Sequence, residues 1–142
     1  MYGVTHVIAV DDFSREVVRC ITIPVKNPIA IYDLLFRPIL VEEGIWDQVR
    51  VDHGTEFFLI LAVQNHLANL RTRQDHPAYM QTTSTNNHRV ERLWPEINHR
   101  VNYPIKEILV DMEASSIINM QDEATKFCVS WISIQVASVG LI

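Results

Sequence analysis

The sequence predicts a mixed α/β fold, because short runs rich in β-branched residues alternate with longer segments of helical periodicity. The chain has 142 residues, a length that suits one compact domain, and 48% of them are hydrophobic while 20% are charged. This composition is typical of globular proteins and excludes disordered and low-complexity chains. The formal net charge of −5 disfavours a protein that binds nucleic acid through its overall charge.

The chain is predicted to begin with a β-hairpin and a helix. Residues 4–10 and 17–23 are apolar and are separated by a polar turn, which predicts two paired strands. Asn27 is the predicted N-cap of the first helix, with Pro28 at its first position. Gly44 is its predicted end.

The middle of the chain is predicted to alternate strand and helix. The predicted elements are a strand over residues 45–52, a helix over 56–70, a short strand over 79–83, a long polar helix after cap candidates at 84–87, and two or three helical segments over 105–142. Prolines at 38, 95 and 104 predict kinks or early ends in their helices. We expect residues 1–112 to form the main domain and residues 113–142 a helical extension.

The sequence also indicates the cellular compartment and excludes some kinds of site. Cys20 and Cys128 are too few and too far apart for a disulfide scaffold, and the six histidines show no zinc spacing with them. No signal peptide is evident at the first residues, so we expect a nuclear or cytoplasmic protein. Residues 127–142 carry no charge but are shorter than a membrane span, so no membrane contact is expected, and burial or self-association is the favoured role.

Two acidic residues are the principal candidates for chemistry. Asp52 ends a predicted strand and is followed by a turn that contains Gly54, and ligands of open α/β sheets gather at such strand ends. Glu91 lies 39 positions later and shares a helical face with Asn87 and Asn98. Converging carboxylates bind hard cations such as Mg²⁺ or Mn²⁺. The alternative for each residue alone is ordinary: a turn residue and a solvated helical acid.

Three ordered motifs resemble a known family. Residues 51–57, Val-Asp-His-Gly-Thr-Glu-Phe, resemble the Asp-x-Gly-x-Glu-Phe element of retroviral and retrotransposon integrase cores. Residues 87–94, Asn-His-Arg-Val-Glu-Arg-Leu-Trp, resemble the element that carries the last catalytic glutamate of these cores. Residues 10–15 resemble the family's Asp-x-aromatic-Ser-Arg strand end, and the Glu-Arg-Leu-Trp-Pro run is similar to integrase-like genes of animal genomes.

The resemblance implies an RNase H-like integrase core of the DDE transposase superfamily. In such enzymes three carboxylates hold two Mg²⁺ or Mn²⁺ ions for DNA strand transfer. By resemblance Asp52 is the second acid and Glu91 the third. DNA is the implied partner, and residues 71–100 hold five of the twelve basic residues, which suits phosphate contacts. The candidate DNA-contacting residues are Asn87, His88, Arg89, Arg92 and Asn98.

The chain differs from the family pattern at the first catalytic acid. The family places it on a strand before the one that ends at Asp11, and the chain shows no such strand, so we expect an N-terminally truncated core. Asp11 matches the aromatic-Ser motif and not the first catalytic acid. A metal-ligand role for Asp11 stays open beside the preferred role in the hairpin turn. The hairpin and the Asp52 strand then pair directly, leave a gap or recruit another chain.

Two functions are left open by these observations. The first is an integrase- or transposase-derived catalytic core fragment, expected to have little or no strand-transfer activity alone. The second is a domesticated, non-catalytic module for DNA binding or protein interaction. An RNase H-type nuclease shares the fold, but the motifs at Asp52 and Glu91 argue against it.

Overall fold

The computed structural model describes residues 3–83 and 92–140, which fall into two compact units. The strand unit comprises residues 7–21 and 26–83, and the helical unit comprises residues 3–6, 22–25 and 92–140. Strands and helices alternate in the strand unit, so the predicted α/β class is confirmed. The expected boundary at residue 113 stays a prediction.

The predicted hairpin is confirmed. Strands β1 (Thr5–Val10) and β2 (Val17–Ile23) form a two-stranded sheet. In the turn between them the N–H of Asp11 donates to the carbonyl of Glu16 at 2.9 Å. Arg15 adopts a positive φ of 66° there, and its N–H donates back to the Asp11 carbonyl at 2.8 Å. The turn therefore closes on backbone hydrogen bonds at the base of the hairpin.

A π-helical turn interrupts the first helix. Its parts are α1 (Pro28–Ile31), the π turn (Tyr32–Phe36) and α2 (Arg37–Glu43). Pro38, in the first turn of α2, has no N–H to donate to the carbonyl of Leu34 four residues earlier. The Nε of Arg19 on β2 donates to that carbonyl at 3.1 Å. The predicted interruption at Pro38 is confirmed, and it takes the form of one widened turn.

Both predicted ends of this helix are confirmed. The side-chain oxygen of Asn27 accepts from the N–H groups of Ile29 and Ala30 at 2.9 and 3.3 Å. These are two of the four N–H groups that a helix leaves without an internal partner. At the other end Gly44 adopts a φ of 97°, which L side chains rarely adopt.

We expect Asn27→Ala to lower the free energy of unfolding by about 1 kcal/mol, because both N–H groups lose their side-chain acceptor. Asn27→Ser retains a capping oxygen and should lose much less. Urea unfolding followed by circular dichroism measures both variants. Equal losses for the two would show that the cap is not what stabilises this helix start.

A parallel strand pair forms the second sheet. β3 (Val49–Val51) and β4 (Tyr79–Gln81) pair in the register Val49 to Tyr79 and Val51 to Gln81. The connection contains a 3₁₀ turn (Thr55–Phe57), α3 (Phe58–His66) and a second 3₁₀ turn (Ala68–Leu70). Parallel strands need such a helical crossover. The predicted strands and helix are confirmed, although each is shorter than the range that the sequence predicts for it.

Two buried polar side chains fix the segments that lead into these strands. Gln64 of α3 is fully buried, and its Nε2 donates to the carbonyls of Trp46 and Ala78 at 2.8 and 3.2 Å. Arg71, 9% exposed, donates from Nη1 to the carbonyls of Asp47 and His76. One carbonyl of each pair precedes β3 and the other precedes β4. The two side chains therefore hold the amino ends of both strands together.

The apolar core of the strand unit lies among α1, α2, α3 and the strands. Its buried residues are Val7, Ala9, Ile31, Leu35, Phe36, Ile39, Val49, Val51, Ile60, Leu61 and Ala78. Phe36 is 2% exposed, and its ring lies 6.0 Å from that of Tyr32 and 5.8 Å from that of Trp46. The edge-on approach to Trp46 is a favourable aromatic geometry.

The helical unit consists of one interrupted helix and one long helix. Its elements are α4 (Trp94–Ile97), a π turn (Asn98–Asn102), α5 (Tyr103–Ala114) and α6 (Glu123–Gly140). Leu109 and Val129 are its buried cluster, with Ile105, Ile118 and Met120 packed against them. Of the two or three helical segments predicted over residues 105–142, the described chain has two, α5 and α6. The cap candidates at residues 84–87 lie outside the described residues.

Two sets of polar contacts stabilise the helical unit. The carboxylate of Asp122 accepts from the hydroxyl and the N–H of Thr125 at the start of α6, and these bonds lower the pKa of Asp122. His6 is buried, with its Nε2 donating to the Asn102 side-chain oxygen at 2.6 Å. Among the helices described, none is long and apolar enough to cross a membrane.

Candidate functional site

Asp52 directly follows β3 and is partly buried. Its Oδ1 accepts from the N–H of Gly54 at 2.9 Å, which closes a tight turn after the strand. None of the ion pairs found within residues 3–83 and 92–140 involves Asp52. The carboxylate is thus oriented by a backbone donor while its charge remains without a basic partner in the described chain.

Thr82 is the neighbour of Asp52 on the adjacent strand. Its N–H donates to the carbonyl of Val51 at 2.9 Å, so the parallel ladder continues one residue beyond β4. The Thr82 hydroxyl is inaccessible to solvent and has no hydrogen-bond partner in the described part of the chain. We call Asp52 and Thr82 the carboxyl edge. Ligands of parallel sheets bind at this end of the strands.

A second carboxylate lies beside the Asp52 turn but is already paired. A Cβ at Gly54 would overlap the carboxylate of Glu56, so that carboxylate packs directly on the turn. The Nζ of Lys26 lies 3.4 Å from its Oε1. Glu56 therefore has a basic partner, whereas Asp52 has none among the residues that the structure describes. The Lys26 contact was not predicted, because no local pattern links residues so far apart in sequence.

Asp11 lies at the hairpin turn and is exposed. Its Oδ2 accepts from the N–H of Ser14 at 2.8 Å. Hydrogen bonding by the Ser14 hydroxyl and N–H lowers the pKa of Asp11. The structure thus places the Asp11 carboxylate in the hairpin turn, where it bonds to the turn backbone.

The remaining predicted site residues divide between described and undescribed parts of the chain. Asn87, His88, Arg89 and Glu91 lie outside the described residues. Arg92 is exposed in the helical unit. Asn98 is partly buried there, and its Oδ1 accepts from Asn102 Nδ2 at 2.9 Å. The convergence of Asp52 with Glu91 therefore stays a prediction.

The oxygen donors at the carboxyl edge fit a hard divalent cation. The Asp52 carboxylate and the Thr82 hydroxyl supply oxygen atoms, which Mg²⁺ and Mn²⁺ prefer. Within residues 3–83 and 92–140, no group of three or more His, Cys, Asp and Glu side chains is placed to hold a metal ion.

One residue of the basic stretch has a different role from the one expected. Arg71 is buried, and its Nε and Nη1 donate to backbone carbonyls, so it does not belong to an exposed basic face. Arg73, Arg92 and Arg100 are exposed. The role of Gln64 was not predicted either. Its position four residues after Ile60, on the buried face of α3, is the one signal in the sequence that points to burial.

The family models give one match to this chain. A model described as Integrase core domain matches residues 2–138, nearly the whole sequence. The comparison with curated proteins and the comparison with solved structures found no match. The matched range includes all three motifs and every candidate site residue.

Proposed function

Because the chain belongs to the integrase core domain family, we propose that its carboxyl edge and Glu91 bind Mg²⁺ or Mn²⁺ next to DNA, as an integrase- or transposase-derived core. The observation that carries this proposal is Asp52, held by the Gly54 N–H at the carboxyl end of a parallel strand and without a basic partner in the described chain. An uncompensated, oriented carboxylate at this position is suited to a cation.

Each part of the chain has a distinct role in this proposal. The cation, when bound, supplies positive charge that polarises phosphate oxygens and activates a hydroxyl. Asp52 and Glu91 hold it, and the Gly54 N–H keeps the Asp52 carboxylate in one orientation. Exposed Arg92, with Asn87, His88 and Arg89, contacts the phosphate backbone. Asn98 would donate to a phosphate oxygen from its amide nitrogen, because its oxygen is an acceptor and accepts from Asn102.

The RNase H-like arrangement is part of the same proposal. A hairpin followed by a parallel β-α-β unit supports it, and these are the two sheets of the described chain. With two acids assigned instead of three, we propose that the chain alone has little or no strand-transfer activity. Residues 113–142, which include all of α6, are the proposed helical extension of the core. A DNA-binding role suits a nuclear or cytoplasmic protein.

Calorimetric titration of Mn²⁺ into the purified chain tests the proposal. We expect binding by the unchanged chain, and about a ten-fold or larger loss of affinity in Asp52→Asn and in Glu91→Gln. Asp33→Asn is the matched control, because Asp33 is an exposed carboxylate in the first π turn and is not a residue of the carboxyl edge. Its affinity should equal that of the unchanged chain.

Two outcomes would contradict the metal site. One is a chain with a folded circular dichroism spectrum that binds no Mn²⁺. The other is equal binding by Asp52→Asn, Glu91→Gln and Asp33→Asn, which would place the cation elsewhere. Either result would favour the second candidate, a non-catalytic module for DNA binding or protein interaction, and DNA binding without metal would then be measured.

A further inference from the structure

His6 is a buried histidine that the metal site and the DNA contacts do not use. It lies in β1 and is 6% exposed. Its Nδ1 lies 3.0 Å from the Thr22 hydroxyl of β2, and its Nε2 lies 2.6 Å from the side-chain oxygen of Asn102, 96 residues later in the chain. Both ring nitrogens therefore have a hydrogen-bond partner, as a buried polar group requires.

Asn102 extends these hydrogen bonds to Asn98. The two asparagines are the last and the first residue of the second π turn, four residues apart on one side of the helix. The Nδ2 of Asn102 donates to the Oδ1 of Asn98 at 2.9 Å. We call Thr22, His6, Asn102 and Asn98 the polar chain. All four residues belong to the helical unit, so the polar chain lies within one compact unit.

The polar chain has a direction, because a carboxamide accepts at its oxygen and donates at its nitrogen. His6 donates to the oxygen of Asn102, so the nitrogen of Asn102 is the end that faces Asn98. This nitrogen bonds to the oxygen of Asn98, which leaves the nitrogen of Asn98 for another acceptor. With the hydrogen on Nδ1 of His6 instead, both carboxamides would turn over, and Asn98 would present its oxygen.

The end that Asn98 presents decides which groups it can bind. An amide nitrogen donates to a phosphate oxygen, whereas a presented amide oxygen would meet the phosphate as a second acceptor. Arg92, which is exposed in the same unit, also carries donors and no acceptor. With the observed direction of the polar chain, both side chains thus offer donors to an anionic ligand.

We propose that His6 is a positioning residue for DNA binding, which acts through Asn102 and holds Asn98 with its amide nitrogen available to a phosphate oxygen. This inference rests on the proposed DNA-binding function. His6 itself does not contact DNA, because it is buried and both of its nitrogens are bonded. Its contribution is to orient Asn98 in advance, so that Asn98 loses less conformational freedom when DNA binds.

The tautomer of His6 tests the direction of the polar chain in the absence of DNA. Nitrogen-15 NMR of the neutral imidazole distinguishes a hydrogen on Nε2 from one on Nδ1. We expect the hydrogen on Nε2, the nitrogen that donates to Asn102. A hydrogen on Nδ1 would overturn the proposal, because Asn98 would then present an acceptor. The measurement uses the unchanged chain, so it does not depend on the folding of any variant.

Fluorescence polarisation of a labelled, mixed-sequence DNA duplex tests the effect on binding. We expect about a ten-fold loss of affinity in Asn98→Ala and in His6→Phe, which keeps an aromatic ring but has no donor. His6→Gln retains an amide nitrogen that can donate to Asn102, so it should keep most of the affinity. His66→Phe is the matched control, because His66 is exposed on α3 in the strand unit, and it should bind DNA as the unchanged chain does.

A double variant separates positioning from a general loss of structure. If His6 acts through Asn98, His6→Phe combined with Asn98→Ala should bind DNA as weakly as Asn98→Ala alone, because the contact that His6 prepares is already gone. A further ten-fold loss in the double variant would overturn the proposal, and so would equal affinities of His6→Phe and the unchanged chain. An unchanged chain that binds no DNA would overturn the proposed function, and this role with it, which distinguishes that failure from the other two.

Discussion

Replacing Phe36 with alanine is expected to lower the free energy of unfolding by about 3–5 kcal/mol, the largest loss that we expect for a single side chain. Phe36 is 2% exposed and packs between the rings of Tyr32 and Trp46. The truncation removes buried apolar surface and leaves a cavity. The π turn cannot move to fill this cavity, because α1 precedes it and α2 follows it directly. Urea unfolding followed by tryptophan fluorescence measures the loss.

Phe58→Ala is the matched control for this prediction. Phe58 opens α3 in the same unit but is 72% exposed, so the same truncation removes little buried surface and should change stability by less than about 0.5 kcal/mol. Phe36→Leu retains most of the volume and should fall between the two. Equal losses for Phe36→Ala and Phe58→Ala would show that Phe36 is not a core residue.

Replacing Arg71 with methionine is expected to cost about 3 kcal/mol of unfolding free energy, because carbonyls that Arg71 satisfies lose their donor. Those carbonyls belong to Asp47 and His76, at 2.6 and 3.0 Å. The Ala68 carbonyl, 3.0 Å from the Arg71 Nε, also accepts from the Nε2 of Gln74 and keeps that donor. Methionine keeps much of the apolar stem, so the loss reports chiefly on the guanidinium. Thermal and urea unfolding both measure it.

Arg73→Met is the matched control, because it removes a positive charge without removing a donor to buried backbone carbonyls. Arg73 is exposed and pairs with Asp75 at 3.1 Å, an ion pair that contributes little to stability at the surface. We therefore expect a change below about 1 kcal/mol for Arg73→Met. Similar losses for the two variants would contradict the view that Arg71 holds the amino ends of β3 and β4 together.

Local signals account for the parts of the fold that the sequence predicts well. The hairpin, the Asn27 cap and the Gly44 end each depend on residues a few positions apart, and the structure confirms them. The strand, turn and helix around Asp52 are predicted for the same reason. Predicted lengths are less accurate, since β3 pairs over three residues only and 3₁₀ turns flank α3.

Contacts between distant residues account for most of what the sequence does not predict. The side chains of Gln64 and Arg71 donate to backbone carbonyls. Every residue has such a carbonyl, so the sequence does not indicate which one is the acceptor. Composition placed Arg71 in a basic stretch, whereas its burial removes it from any DNA surface. The Lys26 and Glu56 pair also joins distant positions. The position of Asp52 was predicted, and its relation to Glu91 stays a prediction.

The proline in the first helix has a consequence for how this sequence can change. Pro38 denies the Leu34 carbonyl the usual N–H donor four residues later, and the Nε of Arg19 on β2 donates to that carbonyl. A residue other than proline at position 38 would bring its own N–H to compete with Arg19, whereas loss of Arg19 would remove the side-chain donor of this carbonyl. Positions 19 and 38 are therefore coupled: a substitution at one changes the hydrogen bond that the other allows, so the irregular turn of the first helix also attaches the hairpin to it.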